Sequence, residues 1–177
     1  MAQPDILKEL RHFYIEARTQ AERSMEQLTD EQFFQTLDNE ANSVALVLKH
    51  VSGNLRSRWT DFLSSDGEKS DRHRDSEFII ESADSRASLM DRWNRSWKVT
   101  LDTLDSLTID DLGRTIYIRT KPWQVLSAIL RNLTHTVHHV GQIVLLSKHL
   151  KGADWQTLSI PRGQSETFNR EMKSSKS

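Results

Sequence analysis

Apolar spacing is the feature that most constrains the fold. Over four long stretches, large apolar residues recur every three or four positions, the period of a helix that buries one face. Leu7, Leu10, Tyr14, Ala17, Ala21 and Met25 trace the first stretch, and Val44, Leu48, Val51, Leu55, Trp59 and Phe62 the second. The second opens near Asn42 or Ser43. The third starts at about Ser85, with Leu89, Trp93, Trp97, Leu101 and Leu104 on one face, and the fourth runs from Trp123 to about Leu150. Helices of roughly 25 residues span about 38 Å each. Four such helices bury their stripes against one another, so the spacing predicts an all-α four-helix bundle.

The punctuation agrees. Pro4 suits a first helical turn, and Thr29 with Gln32 resembles a capping box opening a short helix through Phe33 and Phe34. Gly152 ends the fourth helix. The stretch "SSDGEKSDRHRDSEF" between the second and third helices reads as a long charged loop. "GRTIYIR", from Gly113 to Arg119, alternates polar and apolar residues and reads as an isolated extended segment, with no sheet. Thr120 and Pro122 read as a start signal for the fourth helix. Residues 1–152 are expected to form one bundle domain. Residues 153–177 are expected to form an extended tail that packs "WQTLSIP" on the bundle and ends in disorder.

Charge and cysteine usage exclude several functions. Twenty-four Lys plus Arg against twenty-five Asp plus Glu give a net charge of −1, which argues against a dedicated nucleic-acid binder. There is no cysteine, so disulfides, thiolate nucleophiles and Cys-ligated zinc are excluded. Any side-chain metal site must use His, Asp or Glu. The apolar runs Val44 to Leu48 and Ile143 to Leu146 are far short of a membrane span. "MAQPDILKELRHFY" has no apolar signal region. A soluble cytoplasmic protein with no membrane or nucleic-acid partner is expected.

The stretch "NLTHTVHHVGQ" places three of the chain's seven histidines within five residues. Residues four apart on a helix differ by only about 40°, so His135 and His139 stack on one face at the edge of the core. His138 points to a wetter sector shared with Arg131 and His149. An i, i+4 histidine pair is a good metal half-site; two boundary histidines bonded to neighbouring helices explain the same spacing equally well. His12 and His73 sit among charges and read as surface residues, and His149 suits a helix C-terminus. His50 lies about 120° from the apolar stripe of the second helix, with Asn54 one turn on along the same flank.

These residues resemble the DinB-like superfamily of bacterial metal-binding four-helix bundles, which includes thiol-dependent S-transferases. That family's signature is one histidine in the second helix and H-x-x-x-H in the fourth, often followed by Gly-Gln. It falls here on His50, His135 and His139, with Gly141-Gln142 completing it. "HVSGNLRSRWTDFLSSDGEKSDRHRDSEF", "RTKPWQVLSAILRNLTHTVHHVGQIV" and "WQTLSIPRGQSETFN" are similar to an uncharacterised branch of that superfamily, over about residues 5 to 170. The resemblance implies a three-histidine divalent metal site with an open position. An all-nitrogen set suits Zn²⁺ or Ni²⁺, and such an ion acidifies water or a thiol. Asn54 and Gln142 are placed for second-layer contacts that orient ligands, or for ordinary polar contacts between helices.

Other features are weaker. The loop from Asp66 to Glu77 reads as solvated or as a cover over the site. Arg56 and Arg58 read as anchors for that loop or for an anionic substrate, and Trp59, Trp93 and Trp97 as core. "SIPRGQS" has a single Gly and no strand-to-helix context, so it is assigned to packing of the tail. The leading expectation is a metal-dependent enzyme acting on a small molecule, either a thiol S-transferase with a low-molecular-weight thiol as co-substrate or a hydrolase. The alternative is a non-catalytic, metal-stabilised or stress-related binding module that forms a homodimer. An open pocket at the metal favours the first, and exposed apolar residues on a helix face favour the second. Because ligating imidazoles are neutral, metal loss is expected on acidification from roughly pH 6.5 downward.

Overall fold

A computed structural model describes residues 5–174. Pro4 lies outside the described residues. Four long helices carry the fold: α1 (Ile6–Met25), α3 (Val44–Trp59), α4 (Arg86–Ser106) and α5 (Val125–Lys151). The short α2 (Asp30–Phe34), a hairpin of β1 (Thr115–Ile118) and β2 (Lys121–Gln124), and the C-terminal α6 (Ser165–Ser174) complete it. α1 and α3 each pack against both α4 and α5. The protein is all-α apart from the hairpin, and no described helix is long and apolar enough to cross a membrane.

The helix starts follow the expected chemistry. Asp5, Thr29, Ser43 and Ser85 each accept a hydrogen bond from a backbone N–H three residues on. Those groups have no partner within their own helix, which is why these residue types sit there. Gly152, at φ 56°, takes the left-handed conformation that stops α5. The stripes meet in a core centred on Tyr14, Trp59, Trp93 and Trp97, each no more than 1 % exposed. Tyr14 stands edge-on to both Trp59 and Trp97, the favoured geometry for aromatic quadrupoles.

α3 departs from a one-striped helix. Its buried residues include Lys49, His50, Asn54 and Arg58 as well as the apolar positions. Residues 60–85 fold back along it and supply counter-charges, which is what makes burial of the cations tolerable. Lys49 Nζ lies 2.6 Å from Asp84 and 3.3 Å from Glu81. Arg58 meets Glu68 at 2.8 Å and Arg56 meets Asp71 at 2.9 Å. The segment expected to be a loop is therefore a charged strap, closing with a 3-10 turn over Arg74–Phe78. Both arginines anchor it.

Two expectations are corrected. "GRTIYIR" is not isolated: β1 pairs antiparallel with β2, with Ile116 opposite Trp123 and Ile118 opposite Lys121. Arg119 and Thr120, at φ 53° and 62°, form the left-handed two-residue turn that matches strand twist. Asp66 accepts both of their backbone N–H groups, at 2.8 and 2.7 Å, which offsets the cost of that conformation in non-glycine residues. Trp123 is thus used in pairing, and α5 begins at Val125 instead. The tail is the second correction. Gln156 exchanges hydrogen bonds with Gln27, two residues past the end of α1, but Ser165–Ser174 of the stretch expected to be extended forms α6, whose residues are all exposed. The last three residues, at the end expected to be disordered, lie outside the described residues.

Candidate metal centre

The site begins with the register of α3 and α5, which lie against each other. His50 is buried on α3, and His135 and His139 are half-buried on successive turns of α5. One ligand atom from each lies within 4.8 Å of the others. His50 Nε2 is 3.3 Å from His135 Nε2. Two imidazole nitrogens on a tetrahedral ion at about 2.05 Å would stand about 3.3 Å apart, so this spacing suits one shared divalent ion.

The rings are fixed from behind. Glu77 Oε2 accepts a hydrogen bond from His50 Nδ1 at 2.8 Å, and Phe78 stacks on the ring at 4.8 Å between centroids. Burial works against the Glu77 charge, but the bonds from His50 and Arg72 outweigh it and hold the carboxyl below its usual range. A charged Glu77 keeps the proton of His50 on Nδ1 and leaves the Nε2 lone pair facing His135. Gln142 does the same for His139, its Oε1 lying 2.7 Å from Nδ1. His135 has no such partner, and its Nδ1 is buried without a hydrogen bond. Burial, then the nearby His139, His50, Arg131 and Arg72, lowers its pKa to about 3. Burial also lowers that of His139. Both rings present neutral lone pairs at neutral pH, the form that binds metal. The donor set fits a divalent ion.

Gly53 makes the arrangement possible. A Cβ there would stand 2.1 Å from Glu77 Oε1, so only glycine lets the carboxylate approach α3 beneath His50. Arg72, itself buried, clasps Glu77 through Nε at 2.8 Å and Nη2 at 3.0 Å. Beside His50 and His135 a cavity of about 260 Å³, lined also by Asn54 and Arg72, is open to solvent and takes in the exposed Arg74, Arg119 and Arg131.

The other histidines stay apart. His138 is exposed and meets only the edge of His139, with centroids 5.5 Å apart. His73 and His149 are exposed, and His12 pairs with Glu16 at the surface. Asn54 forms no hydrogen bond with the three candidate ligands among the described residues. Its Oδ1 instead accepts from Asn132 Nδ2 at 2.9 Å. Arg131, read from the helical wheel as lying in His138's sector, lines the His135 cavity instead. Sequence reasoning missed Glu77, Phe78, Arg72, Gly53 and Asn132. Glu77 is one of several acids in a charged stretch, and nothing local singles it out. Gly53 within a helical pattern was a legible signal, since an interior glycine costs about 1 kcal/mol against alanine and implies a packing reason.

Fold and site define a class: helical proteins in which imidazoles from two packed helices form a centre able to hold a divalent ion beside an open cavity. The chain belongs to the family described as proteins of unknown function, DUF1572, which it matches over residues 2–164. No curated protein matches it.

Proposed function

We propose that the chain is a four-helix bundle of the DinB-like type in which His50, His135 and His139 bind one divalent ion, zinc or nickel, and that it is a metal-dependent enzyme. One observation carries this reading: three imidazoles lie within reach of one ion, and two of them, His50 and His135, line a cavity open to solvent. A site built only to staple helices is closed by its protein ligands; a catalytic one keeps a position open. When bound, the ion supplies Lewis acidity toward a thiol or water. Around it, Glu77 and Gln142 fix ring orientation, while Phe78 and the buried side of α3 exclude water from behind His50.

The reaction proposed is thiol transfer or hydrolysis of a small molecule. α5 also exposes Leu130, Val137 and Leu145 on the side away from the core, the feature that favours the alternative, a non-catalytic module that forms a homodimer. The test is metal content of the purified protein and its alanine variants. His50→Ala, His135→Ala and His139→Ala are expected to fall well below one ion per chain, while His138→Ala keeps the wild-type value. Full retention in His50→Ala refutes the three-histidine centre. Zn²⁺- or Ni²⁺-loaded protein is then assayed for conjugation of an electrophile with a low-molecular-weight thiol, and for ester or amide hydrolysis without it. Inactivity in both favours the non-catalytic module.

A further inference from the structure

The cavity beside the histidines is built almost wholly from hydrogen-bond donors. Arg58, Arg72, Arg74, Arg119 and Arg131 all line it, in a chain whose net charge is −1. Two carboxylates answer these five cations. Glu68 serves Arg58 at 2.8 Å and Arg119 at 3.2 Å, and Glu77 serves Arg72. Asp66, on the same strap, is occupied by the backbone amides of the hairpin turn.

Arg74 and Arg131 have no acidic partner among the described residues. Their guanidiniums lie 5.2 Å above the rings of Phe78 and Trp123 respectively. An aromatic face orients a guanidinium without neutralising it. Both residues are exposed and line the cavity.

A neutral donor completes the wall. Trp59 Nε1 can only donate, and both it and the Tyr14 hydroxyl bond to Asn132 Oδ1 at 2.9 Å. That sets the orientation of the Asn132 amide, whose Nδ2 therefore donates to Asn54 Oδ1. Asn54 is left with its Nδ2, a donor with no hydrogen-bond partner among the described residues, on a residue lining the cavity. Among the described side chains that line it, the acceptors are the imidazole lone pairs, which the proposed ion takes, and the Asn54 and Asn132 oxygens, which already accept hydrogen bonds. A cationic ligand would meet only donors, and a neutral one, even where its oxygens accept hydrogen bonds, would leave the two unpaired guanidiniums without a counter-charge.

We propose that this cavity binds the anionic end of the substrate, a carboxylate or phosphate, between Arg74, Arg131 and Asn54, and so places the rest of that molecule against the three-histidine centre. This inference rests on the metal reading for its second half only. The guanidinium fork matches the planar oxygens of either group.

The test is calorimetric titration, at low salt, of metal-free protein and of protein carrying one Zn²⁺ per chain. The probes are inorganic phosphate, succinate and neutral succinamide, and metal content is measured on every sample. Phosphate and succinate separate the two sources of negative oxygen. One anion site per chain is expected, weakened at least tenfold by Arg131→Gln or Arg74→Gln and weakened by added NaCl, with no succinamide binding. Neither guanidinium forms a hydrogen bond among the described residues, so both variants are expected to fold. Absence of saturable anion binding by wild-type protein overturns the proposal, as does a dissociation constant that changes less than twofold in both variants. Arginine-dependent anion binding by a protein that takes up no metal upholds the anion site and refutes the metal centre. Metal uptake without anion binding does the reverse.

Discussion

Replacing Gly53 with alanine tests the centre at its least obvious point. On intrinsic propensity the change is favourable: alanine inside a helix is worth about 1 kcal/mol over glycine. Gly53 has no positive φ, so the backbone needs no glycine. The obstacle is Glu77, whose Oε1 would lie 2.1 Å from the new Cβ. To reach ordinary contact the carboxylate oxygen must retreat by about 1.4 Å. Its bonds to His50 Nδ1 at 2.8 Å and to Arg72 at 2.8 and 3.0 Å then stretch beyond hydrogen-bonding range. Hydrogen bonds to charged groups contribute about 1.5–3 kcal/mol each. Losing one or two outweighs the propensity gain, for a net destabilisation of about 1–4 kcal/mol. His50 would also lose the partner that fixes its tautomer, and such losses cost about 10–100-fold in metal affinity. Urea unfolding of the metal-free protein measures the first effect, and Zn²⁺ titration against a competing chelator the second. Glu77→Gln, which keeps the shape but not the charge, should reproduce the affinity loss. A Gly53→Ala protein that is about 1 kcal/mol more stable, with unchanged Zn²⁺ affinity, would show that Glu77 does not hold His50.

Two further outcomes follow from the same geometry. Asn132→Leu removes the acceptor shared by Tyr14 and Trp59; Tyr14 keeps the Ile129 carbonyl, but Trp59 Nε1 is orphaned in the core. A loss of about 2–3 kcal/mol is expected by urea unfolding, and a change below about 0.5 kcal/mol refutes the network. For pH, His135 has a folded-state pKa of about 3 against roughly 6.5 unfolded, so the unfolded chain binds more protons between those values. Metal-free stability is therefore full above about pH 6.5 and falls as pH drops toward 3, beginning before the carboxylates titrate. Thermal unfolding from pH 7.5 to 5 checks the slope, which His135→Ala should flatten; an equal slope in the variant assigns it elsewhere. Since protons compete weakly at His135, bound metal should persist below the pH 6.5 that unperturbed histidines imply.

The fold was legible wherever one period ruled a segment, and less so where tertiary partners decided. Caps at Ser43 and Ser85 and the stop at Gly152 stand where local chemistry puts them. His135 and His139 share a face because helical spacing alone requires it. The hairpin was missed because β2 contains Pro122, a residue that removes a ladder donor and marks only edge strands. Its turn is set by Asp66, some fifty residues earlier, instead of by an Asn-Gly pair. The supports of His50 were missed for a similar reason. They depend on which acid of a charged segment returns to α3, and periodicity carries no such information.

Yet the segment's charges are ordered once α3 is known to be buried. Along α3 the groups that face the strap's acids are Lys49, the His50 Nδ1–H, Arg56 and Arg58. Their partners run the opposite way, Asp84 with Glu81, then Glu77, Asp71 and Glu68. This reversal is what a strap running antiparallel to a helix must produce. It also explains why so polar a helix can sit in the core: buried Lys49 and Arg58 would each cost several kcal/mol unpaired. The strap matches them in register, and that register places Glu77 at His50. The same pairing that makes α3 buriable thus aims its histidine. A shift of the strap along the helix would both strand the buried cations and misorient the candidate ligand, so the metal site inherits its geometry from an electrostatic requirement of the fold.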